Sequence, residues 1–270
     1  LPTGQHVYAR LRRKGDARGG LVEGDLVQRA YTPVSSHSAK GHLDLLVKVY
    51  HRTVSFPNGG KMSLGFEELQ VGDKVEFKGP LGSFEWLGKG LAKWRGVERR
   101  AKNIGMICGG SGQFFVVPSI LTLLNPYVSF TPVRDEQYSH CRSRLELSGI
   151  TPIIQVLRGI IHDVNDNETK LWLINSNRTE ADILMRKELE ELEACVGSAR
   201  FQQHFCLSDA PEDWAHSRGR INLEMMRKHL PPVGEDSLIL VCGPGPMIDG
   251  VVKPSLVEMG WDIESTLVEF

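Results

Sequence analysis

The sequence predicts a β plus α/β chain, in which an antiparallel barrel or sandwich is followed by a doubly wound parallel sheet. Over roughly the first hundred residues, short apolar runs alternate with glycine, proline and serine, a pattern typical of antiparallel strands joined by turns. From Ile104 onward, apolar strand-like runs alternate with helical patterns, which indicates a parallel sheet covered on both faces. The Gly- and Lys/Arg-rich stretch 88–103 separates the two patterns, so we assign residues 1–95 to the first domain and residues 96–270 to the second.

Length and composition are those of an ordinary globular chain. The 270 residues suit about two domains, each large enough to bury its own core. With 32 basic and 33 acidic residues, the chain carries no charge excess that would attract nucleic acid or a membrane surface. Its five cysteines form no CxxC pair, so we expect reduced thiols in a cytoplasmic protein and no bound metal.

In the first domain, strands are expected at residues 6–11, 43–50 and 74–77, where apolar residues recur between turn signals. A short helix is predicted at 62–69, after an Asn-Gly-Gly turn. The chain starts abruptly at Leu1 without an initiator Met, so we expect a fragment whose first strand is missing.

The second domain is expected to alternate strands with helices. The helix after Thr179 begins with a capping-box-like sequence, and Leu184, Leu189 and Leu192 then fall on one face. The expected strands are residues 104–108, 171–175, 201–207 and 237–242. The expected helices are residues 152–162, 180–194, 222–230 and 246–260.

A stretch without charged residues interrupts this pattern. No Asp, Glu, Lys or Arg occurs over the 31 positions from Asn103 to Val133, but glycines and prolines within the stretch argue against a membrane span. The 71 residues from Ile104 to Ile174 are about twice what a βαβ unit needs, and removing the 37 residues 113–149 restores a strand, a glycine turn and a helix. Residues 113–149 have neither clear strand alternation nor helical periodicity, so we interpret them as translated non-coding sequence, such as a retained intron, or as a lineage-specific loop.

Two motifs in the first domain have the chemistry of a flavin site. At residues 29–32, the planar guanidinium of Arg29 could bind a phosphate, and the ring of Tyr31 could stack on a flat ring. The hydroxyl of Thr32 could hydrogen-bond to a ring nitrogen. At 56–63, exposed N–H groups at a helix start suit a pyrophosphate. The structural alternatives stay open: an exposed Arg beside a half-buried Tyr on a strand, and a plain turn before a surface helix.

Two motifs in the second domain follow apolar strands and should meet at the carboxyl edge of the sheet. Gly109, Gly110, Ser111 and Gly112 suit a dinucleotide phosphate turn, although the spacing is not GxGxxG. Cys242 with its Gly/Pro platform suits a flat nicotinamide. Cysteine is also among the most buried residue types, so a purely structural Cys242 is the alternative.

Together and in this order, the motifs resemble the ferredoxin–NADP reductase superfamily in its cytochrome b5 reductase branch, and within it the C-terminal flavin module of eukaryotic, fungal-type assimilatory nitrate reductases. The matching stretches are RAYT (29–32), LLVKVY (45–50), FPNGGKMS (56–63), KGPLGSFEW (78–86), GMICGGSG and ITP (105–112 and 150–152), NRTEADIL (177–184), LVCGPGPM (240–247) and LVEF (267–270). The resemblance implies an FAD-binding antiparallel barrel followed by an NAD(P)-binding domain. It also implies hydride transfer from the nicotinamide to the flavin, with electrons leaving singly to a b-type haem domain.

The resemblance also implies a role for each matching residue. Cys242 and Thr32 would act in the transfer itself, Thr151 would lie near the isoalloxazine, and Phe270 would lie near the flavin face. The residues implied to hold FAD are Arg29, Ala30, Tyr31, Thr32, Val47, Lys48, Val49, Tyr50, Phe56, Gly60, Lys61, Met62 and Ser63. The residues implied to hold the nicotinamide nucleotide are Gly109, Gly110, Ser111, Gly112, Gly243, Pro244 and Met247.

Several alternatives remain open at the level of sequence. The chain is either the reductase module of a nitrate reductase, a free-standing NADH–cytochrome b5 reductase, or a non-functional truncated product carrying a retained intron. The nucleotide is either NADPH or NADH. In the resembling family, the position that aligns with Asp182 is acidic and disfavours a 2′-phosphate, but a helix-capping role alone would explain an aspartate at this position. Haem, molybdenum cofactor and any homodimer contact would belong to missing upstream modules. Ser148-Gly149 could replace Ser111-Gly112 in the phosphate turn if the segment between them loops out.

Overall fold

The structure, a computed structural model, describes residues 1–13, 25–35, 39–54, 56–70, 72–110, 115–124, 127–132 and 149–270. Side chains are not described for residues 12, 13, 25, 48, 115–124 and 127–132. The chain divides into two units. The first consists of Leu1, Gln5–Leu81 and Gly112–Leu145, and the second of Pro2–Gly4, Gly82–Ser111 and Glu146–Phe270.

The predicted strands and helices follow one another in the expected order, and further strands lie between them. Up to residue 132 they are β1 (His6–Arg13), β2 (Asp25–Tyr31), β3 (Asp44–Val49), α1 (Lys61–Glu67), β4 (Glu76–Leu81), β5 (Phe84–Gly88), β6 (Leu91–Trp94), β7 (Val97–Arg100), β8 (Asn103–Gly109), β9 (Phe115–Leu124) and β10 (Tyr127–Pro132). Beyond it they are α2 (Ile150–Ile161), β11 (Lys170–Asn177), α3 (Arg186–Val196), β12 (Phe201–Leu207), β13 (Ser217–Arg218), α4 (Leu223–His229), β14 (Ser237–Cys242), α5 (Gly245–Met247), α6 (Lys253–Glu258), α7 (Ile263–Thr266) and β15 (Leu267–Glu269).

The first unit is built from antiparallel strands. β1 pairs with β2 on one side and β4 on the other, with Ala9 opposite Arg29 and Phe77. Strand alternation places every second side chain on the inner face, where Ala9 and Leu11 pack with residues of β2, β3 and α1. The other buried members of this core are Val27, Leu45, Val47, Met62 and Phe66.

The second unit holds a three-stranded antiparallel sheet, β5-β6-β7, and a six-stranded parallel sheet in the order β13-β12-β11-β8-β14-β15. The side chains of Ile104, Met106 and Ile107 in β8 are fully buried, as expected for a central parallel strand covered on both faces. The chain leaves β8 toward β11 on one side and later returns to β14 on the other. The strand order therefore reverses beside β8, where open α/β sheets bind their ligands. The predicted fold class is confirmed.

One local prediction is wrong, and one segment holds strands that its sequence pattern did not indicate. The helix expected at 180–194 is instead a 3-10 turn, Glu180–Asp182, followed by α3, because Met185 adopts a left-handed conformation at φ 58°. Residues 113–149 show neither clear strand alternation nor helical periodicity in the sequence, yet β9 pairs with β3 and β10, with Leu121 opposite Leu45 and Phe130. A continuous apolar run can form a strand without alternating, so the absence of alternation was not evidence against one.

Candidate functional site

The carboxyl ends of β8 and β14 meet at one edge of the parallel sheet. Cys108 and Cys242 lie side by side in the register of these two strands. Gly109 is the last residue of β8, and Gly243 directly follows β14. The two glycines therefore lie next to each other. We call the group formed by Gly109, Gly149, Cys242, Gly243 and Met247 the glycine edge.

Gly149 closes the turn that begins at Gly109. Its N–H donates to the carbonyl of Gly109 over 3.2 Å, and the N–H of Gly110 donates to the carbonyl of Ser176 over 3.1 Å. A Cβ on Gly149 would overlap the carbonyl of Cys242, so only glycine fits there. Because α2 begins at the next residue, the positive end of a twelve-residue helix lies at this edge.

The sequence prediction assigned the turn to Gly112 and offered Gly149 only as a substitute. Ser111 and Gly112 lie outside the described residues. The backbone of Gly149 is helical at φ −72° and ψ −1°, so its need for glycine comes from close packing and not from a special backbone conformation. No local sequence signal distinguishes such a glycine, although the Ser-Gly repeat at positions 148–149 pointed toward it.

The Gly243-Pro244 platform packs against the same turn. A Cβ on Gly109 would overlap the Sδ of Met247, and a Cβ on Gly243 would crowd the Cε of the same side chain. Pro244 caps α5. Three glycines thus remove the side chains that would otherwise fill the edge, and Met247 covers two of them.

Cys242 is partly buried and carries a neutral thiol. Burial raises the pKa of Cys242 to about 12, so the thiol stays protonated at neutral pH. Its Sγ lies 3.9 Å from the carbonyl oxygen of Phe270, toward which it can donate a weak hydrogen bond. The N–H of Phe270 donates to the carbonyl of Val241 over 3.0 Å, and the Phe270 ring meets the ring of Phe84 edge-on at 5.8 Å. Thr151, the second residue of α2, is partly exposed.

In the first unit, residues 29–32 occupy the end of β2 and the position after it. Arg29 is exposed, and its Nη1 donates to the carbonyl of Gln28 over 2.7 Å. Ala30 is also exposed. The ring of Tyr31 packs edge-on against Phe66 at 5.2 Å, and burial raises the pKa of Tyr31 well above its usual value although Arg29 opposes the shift. Thr32 is partly exposed, so the segment presents a cation, a neutral phenol and a hydroxyl.

The end of β3 and the start of α1 are joined by three hydrogen bonds. The N–H of Tyr50 donates to Ser63 Oγ over 3.0 Å, Ser63 Oγ donates to the carbonyl of Gly60 over 3.2 Å, and the N–H of Gly60 donates to the carbonyl of Tyr50 over 2.7 Å. A Cβ on Gly60 would overlap Ser63 Oγ and crowd Tyr50. This close packing holds the predicted pyrophosphate segment rigidly against the end of β3.

The other predicted flavin residues differ in what they can offer a ligand. Val47, Val49 and Met62 have buried side chains, so a ligand there would meet their backbone groups. Lys61 is exposed and Phe56 is partly buried. The side chain of Lys48 lies outside the described residues.

Asp182 performs the capping role that the sequence predicted. Its Oδ2 accepts from the N–H of Thr179 over 3.0 Å and from Thr179 Oγ1 over 2.7 Å. Two arginines near this turn are engaged with carboxylates: Arg178 pairs with Asp209 at 2.6 Å, and Arg186 pairs with Glu180 and Glu190. The carboxyl end of β11 is therefore followed by the carboxylate of Asp182 and by two arginines, Arg178 and Arg186, that are already paired with carboxylates.

Neither metal nor membrane features mark the described part of the chain. No three His, Cys, Asp or Glu side chains among the described residues are grouped so that they could hold a metal ion. Within the same residues, no helix is long and apolar enough to cross a membrane.

Comparison with known proteins gives consistent matches to both units. Residues 1–86 match the family described as "Oxidoreductase FAD-binding domain", and residues 148–253 match "Oxidoreductase NAD-binding domain". NADH-cytochrome b5 reductase 3 of Rattus norvegicus is 39% identical over 268 residues, which cover 96% of this chain and 73% of that protein. Nitrate reductase [NADH] of Lotus japonicus is 36% identical over 100% of this chain, which covers 25% of that protein. The crystal structure of the cytochrome b5 reductase domain of Ulva prolifera nitrate reductase superposes with a TM-score of 0.81 at 33% identity, covering 100% of this chain and 85% of that chain.

Proposed function

This chain belongs to the cytochrome b5 reductase family of flavin- and nicotinamide-dependent oxidoreductases, and we propose that it is the reductase module of a nitrate reductase. In this role it takes a hydride from NADH and passes electrons singly to a b-type haem domain. The observation that carries the proposal is the glycine edge, where Gly109, Gly149 and Gly243 lie together with the neutral thiol of Cys242. The likeness to the reductase domain of Ulva prolifera nitrate reductase supports the choice of protein.

The first unit would hold FAD. When bound, FAD supplies the redox chemistry, since it accepts two electrons as a hydride and can release them one at a time. The exposed guanidinium of Arg29 would bind a phosphate through its planar fork. Tyr31, neutral and held against Phe66, would orient the flat ring, and Thr32 would donate to or accept from a ring atom. The N–H groups in the first turn of α1, which have no partner within the helix, would face the pyrophosphate.

The second unit would hold the dinucleotide. Gly109, Gly149 and Gly243 let the backbone approach the pyrophosphate, and the start of α2 adds a favourable dipole. The uncharged thiol of Cys242 would orient the nicotinamide without attracting a counter-ion. Phe270, held beside that thiol by its own backbone, would keep water away from the reacting face.

We infer that NADH is preferred over NADPH. A 2′-phosphate bound beside the 3-10 turn would bring a dianion to the carboxylate of Asp182, at a cost typical of like charges. The neighbouring Arg178 and Arg186 already pair with carboxylates and would have to give up those partners to compensate. A lower rate with NADPH than with NADH at equal concentration is the expected outcome.

A free-standing NADH–cytochrome b5 reductase is the second candidate. The observation in its favour is the higher identity to the Rattus norvegicus reductase, 39% against 36% for the Lotus japonicus nitrate reductase. The two candidates differ in their electron acceptor.

The acceptor can be tested directly with the FAD-loaded chain. The haem domain of a nitrate reductase and a soluble cytochrome b5 are each mixed with the chain and NADH without oxygen, and haem reduction is followed by its visible absorbance. Faster reduction of the nitrate reductase haem domain supports the proposal. Faster reduction of cytochrome b5 favours the free-standing enzyme, and reduction of neither haem contradicts both.

A further inference from the structure

Lys253, which no motif singled out, connects three elements of the second unit. Its Nζ lies 2.7 Å from Asp249 Oδ1 and 2.8 Å from Glu269 Oε1. The lysine side chain is 28% exposed, whereas the two carboxylates are 69% and 45% exposed. One partly buried cation thus joins the start of α6 to the preceding π-helical segment, Ile248–Val252, and to β15.

The strand that Lys253 reaches is a short strand at one edge of the parallel sheet. β15 has three residues and lies at the edge of the sheet, where it pairs with β14 from Ile239 opposite Leu267 to Val241 opposite Glu269. Short edge strands contribute few backbone hydrogen bonds, so they open readily unless side chains hold them.

Phe270, the residue that follows β15, contacts the proposed reaction site. Phe270 follows Glu269 directly, and its carbonyl lies beside the Sγ of Cys242. Its ring contacts Phe84, and its N–H is bonded to Val241. Any opening of β15 at Glu269 would therefore move the carbonyl group that lies beside the thiol.

The same helical stretch also reaches the other side of the site. Met247, six residues before Lys253, covers Gly109 and Gly243, and the π-helical segment separates the two residues. Such segments insert an extra residue into a helix and often occur near functional sites. The stretch thus contacts the glycine turn at one end and the C-terminal strand at the other.

We propose that Lys253 is a positioning residue: by pairing with Glu269 it fixes β15 on β14 and holds Phe270 beside the thiol of Cys242. The hydrogen bonds that Lys253 donates to Asp249 and then to Glu269 raise the pKa of Lys253, so its side chain is charged at neutral pH. The effect of Lys253 on hydride transfer rests on the proposed function. Its effect on the position of Phe270 beside Cys242 is independent of that function.

Thiol labelling of the 270-residue chain tests the proposal without flavin or nucleotide. Iodoacetamide modification of Cys242 and Cys195 is quantified by mass spectrometry in the parent chain, in Lys253→Met and in Glu269→Gln. Cys195 is exposed and far from these contacts in sequence, so it serves as an internal reference in the same molecule. We expect both variants to label Cys242 about three- to tenfold faster than the parent, relative to Cys195, because the edge strand opens more often.

Two further variants make the result specific. Lys253→Arg keeps both ion pairs and should label Cys242 at nearly the parent rate. Lys187→Met removes a lysine from the exposed pair with Glu191, at 3.7 Å, and should also leave the rate unchanged. Thermal unfolding is measured on every variant, and if Lys253→Met does not fold, Glu269→Gln decides.

Unchanged Cys242 labelling in a folded Lys253→Met or Glu269→Gln would overturn the proposal, as would an equal rise at Cys195. A haem or NADH assay that fails while the labelling changes as expected would contradict the proposed function and leave the positioning role intact. If NADH turnover is present, Lys253→Met should lower kcat more than it raises KM, because it disturbs the reacting face and not the pyrophosphate turn.

Discussion

Gly149 has no room for a side chain, because a Cβ there would overlap the carbonyl of Cys242. Its backbone angles are ordinary, so the constraint is purely the close approach of two backbone segments. Gly109 and Gly243 lie at the same edge where β8 and β14 end, and a Cβ on either of them would meet the end of the Met247 side chain. A group of glycines held by packing is the local feature that most directly indicates a ligand with a bulky phosphate portion.

Gly149→Ala should therefore weaken nucleotide binding. The new methyl group must push the start of α2 away from Cys242, so we expect the KM for NADH to rise about tenfold and stability to fall by about 1–3 kcal/mol. Steady-state kinetics and urea unfolding measure the two effects. Gly250→Ala is the matched control, because a Cβ at Gly250 would meet nothing within 4 Å. A KM for Gly149→Ala equal to that of the control would show that this turn does not contact the nucleotide.

Arg29→Ala separates flavin binding from folding. Arg29 is exposed, so its loss should change the free energy of unfolding by less than about 0.5 kcal/mol. Losing a charge-assisted bond to a phosphate should weaken FAD binding about 10- to 100-fold. Arg10→Ala, on the neighbouring strand and paired with Glu76, is the control. Equal FAD affinity of the two variants, measured by flavin fluorescence, would remove Arg29 from the site.

At the scale of elements, three histidines meet where β12, β13 and α4 pack together. The rings of His204 and His229 stack at 3.5 Å with 9° between their planes, and His216 meets His204 edge-on at 5.3 Å. His204 Nε2 also lies 2.8 Å from Ser217 Oγ. Burial, followed by the charges of His229, His216 and Lys228, lowers the pKa of His204 to about 4. Burial also lowers the pKa of His216; the charge of Arg186 adds to this shift, whereas Glu193 and Glu190 oppose it. Burial lowers the pKa of His229 as well, and the charge of Lys228 adds to the shift.

This cluster makes the second unit sensitive to acid. A histidine with a lowered folded-state pKa is protonated first in the unfolded chain, so stability is complete above about pH 6.5 and declines toward about pH 4. Because His204 is partly exposed and solvent screens its charge, we expect a loss on the order of 1 kcal/mol across that window. Urea unfolding at several pH values measures it. His204→Gln should flatten the decline relative to the parent chain, and an identical decline in the variant would contradict this account.

The sequence predicted most elements of the second unit, because buried parallel strands are short apolar runs that local patterns reveal. It missed the break at Met185, since a capping box marks where a helix can start but not how far it continues. The spacing of residues in the sequence did not identify the roles of Gly149 and Lys253. Their importance comes from contacts with Cys242 and Glu269, which are 93 and 16 positions away and are brought near only by the sheet.

At the scale of the whole molecule, the main difference between the sequence prediction and the structure concerns the segment between Gly112 and Gly149. The sequence prediction held that it separates the glycine turn from its helix. The described structure brings Gly149 back to Gly109 through a hydrogen bond of 3.2 Å, so the turn closes on the far side of the segment. The origin of the segment, as a retained intron or a real loop, stays a prediction that a transcript and genomic sequence would test.

Deleting residues 113–149 should therefore change NADH affinity little. The deletion places Ser111-Gly112 directly before Ile150, which recreates the same small-residue turn. We expect the dissociation constant to change less than about threefold, whereas loss of β9 beside β3 should lower the stability of the first unit. Isothermal titration with NADH on both forms checks this. A tenfold gain in affinity on deletion would mean that the segment obstructs the glycine edge.

The central claim is that this chain oxidises a reduced nicotinamide nucleotide through a flavin. The most direct test mixes the full chain, saturated with FAD and freed of excess, with NADH in the absence of oxygen while the visible flavin absorbance is recorded. The account predicts that the chain retains FAD, that the flavin absorbance bleaches rapidly with NADH and that it bleaches more slowly with NADPH. A chain that retains no flavin, or a bound flavin that stays oxidised with both nucleotides, would contradict it.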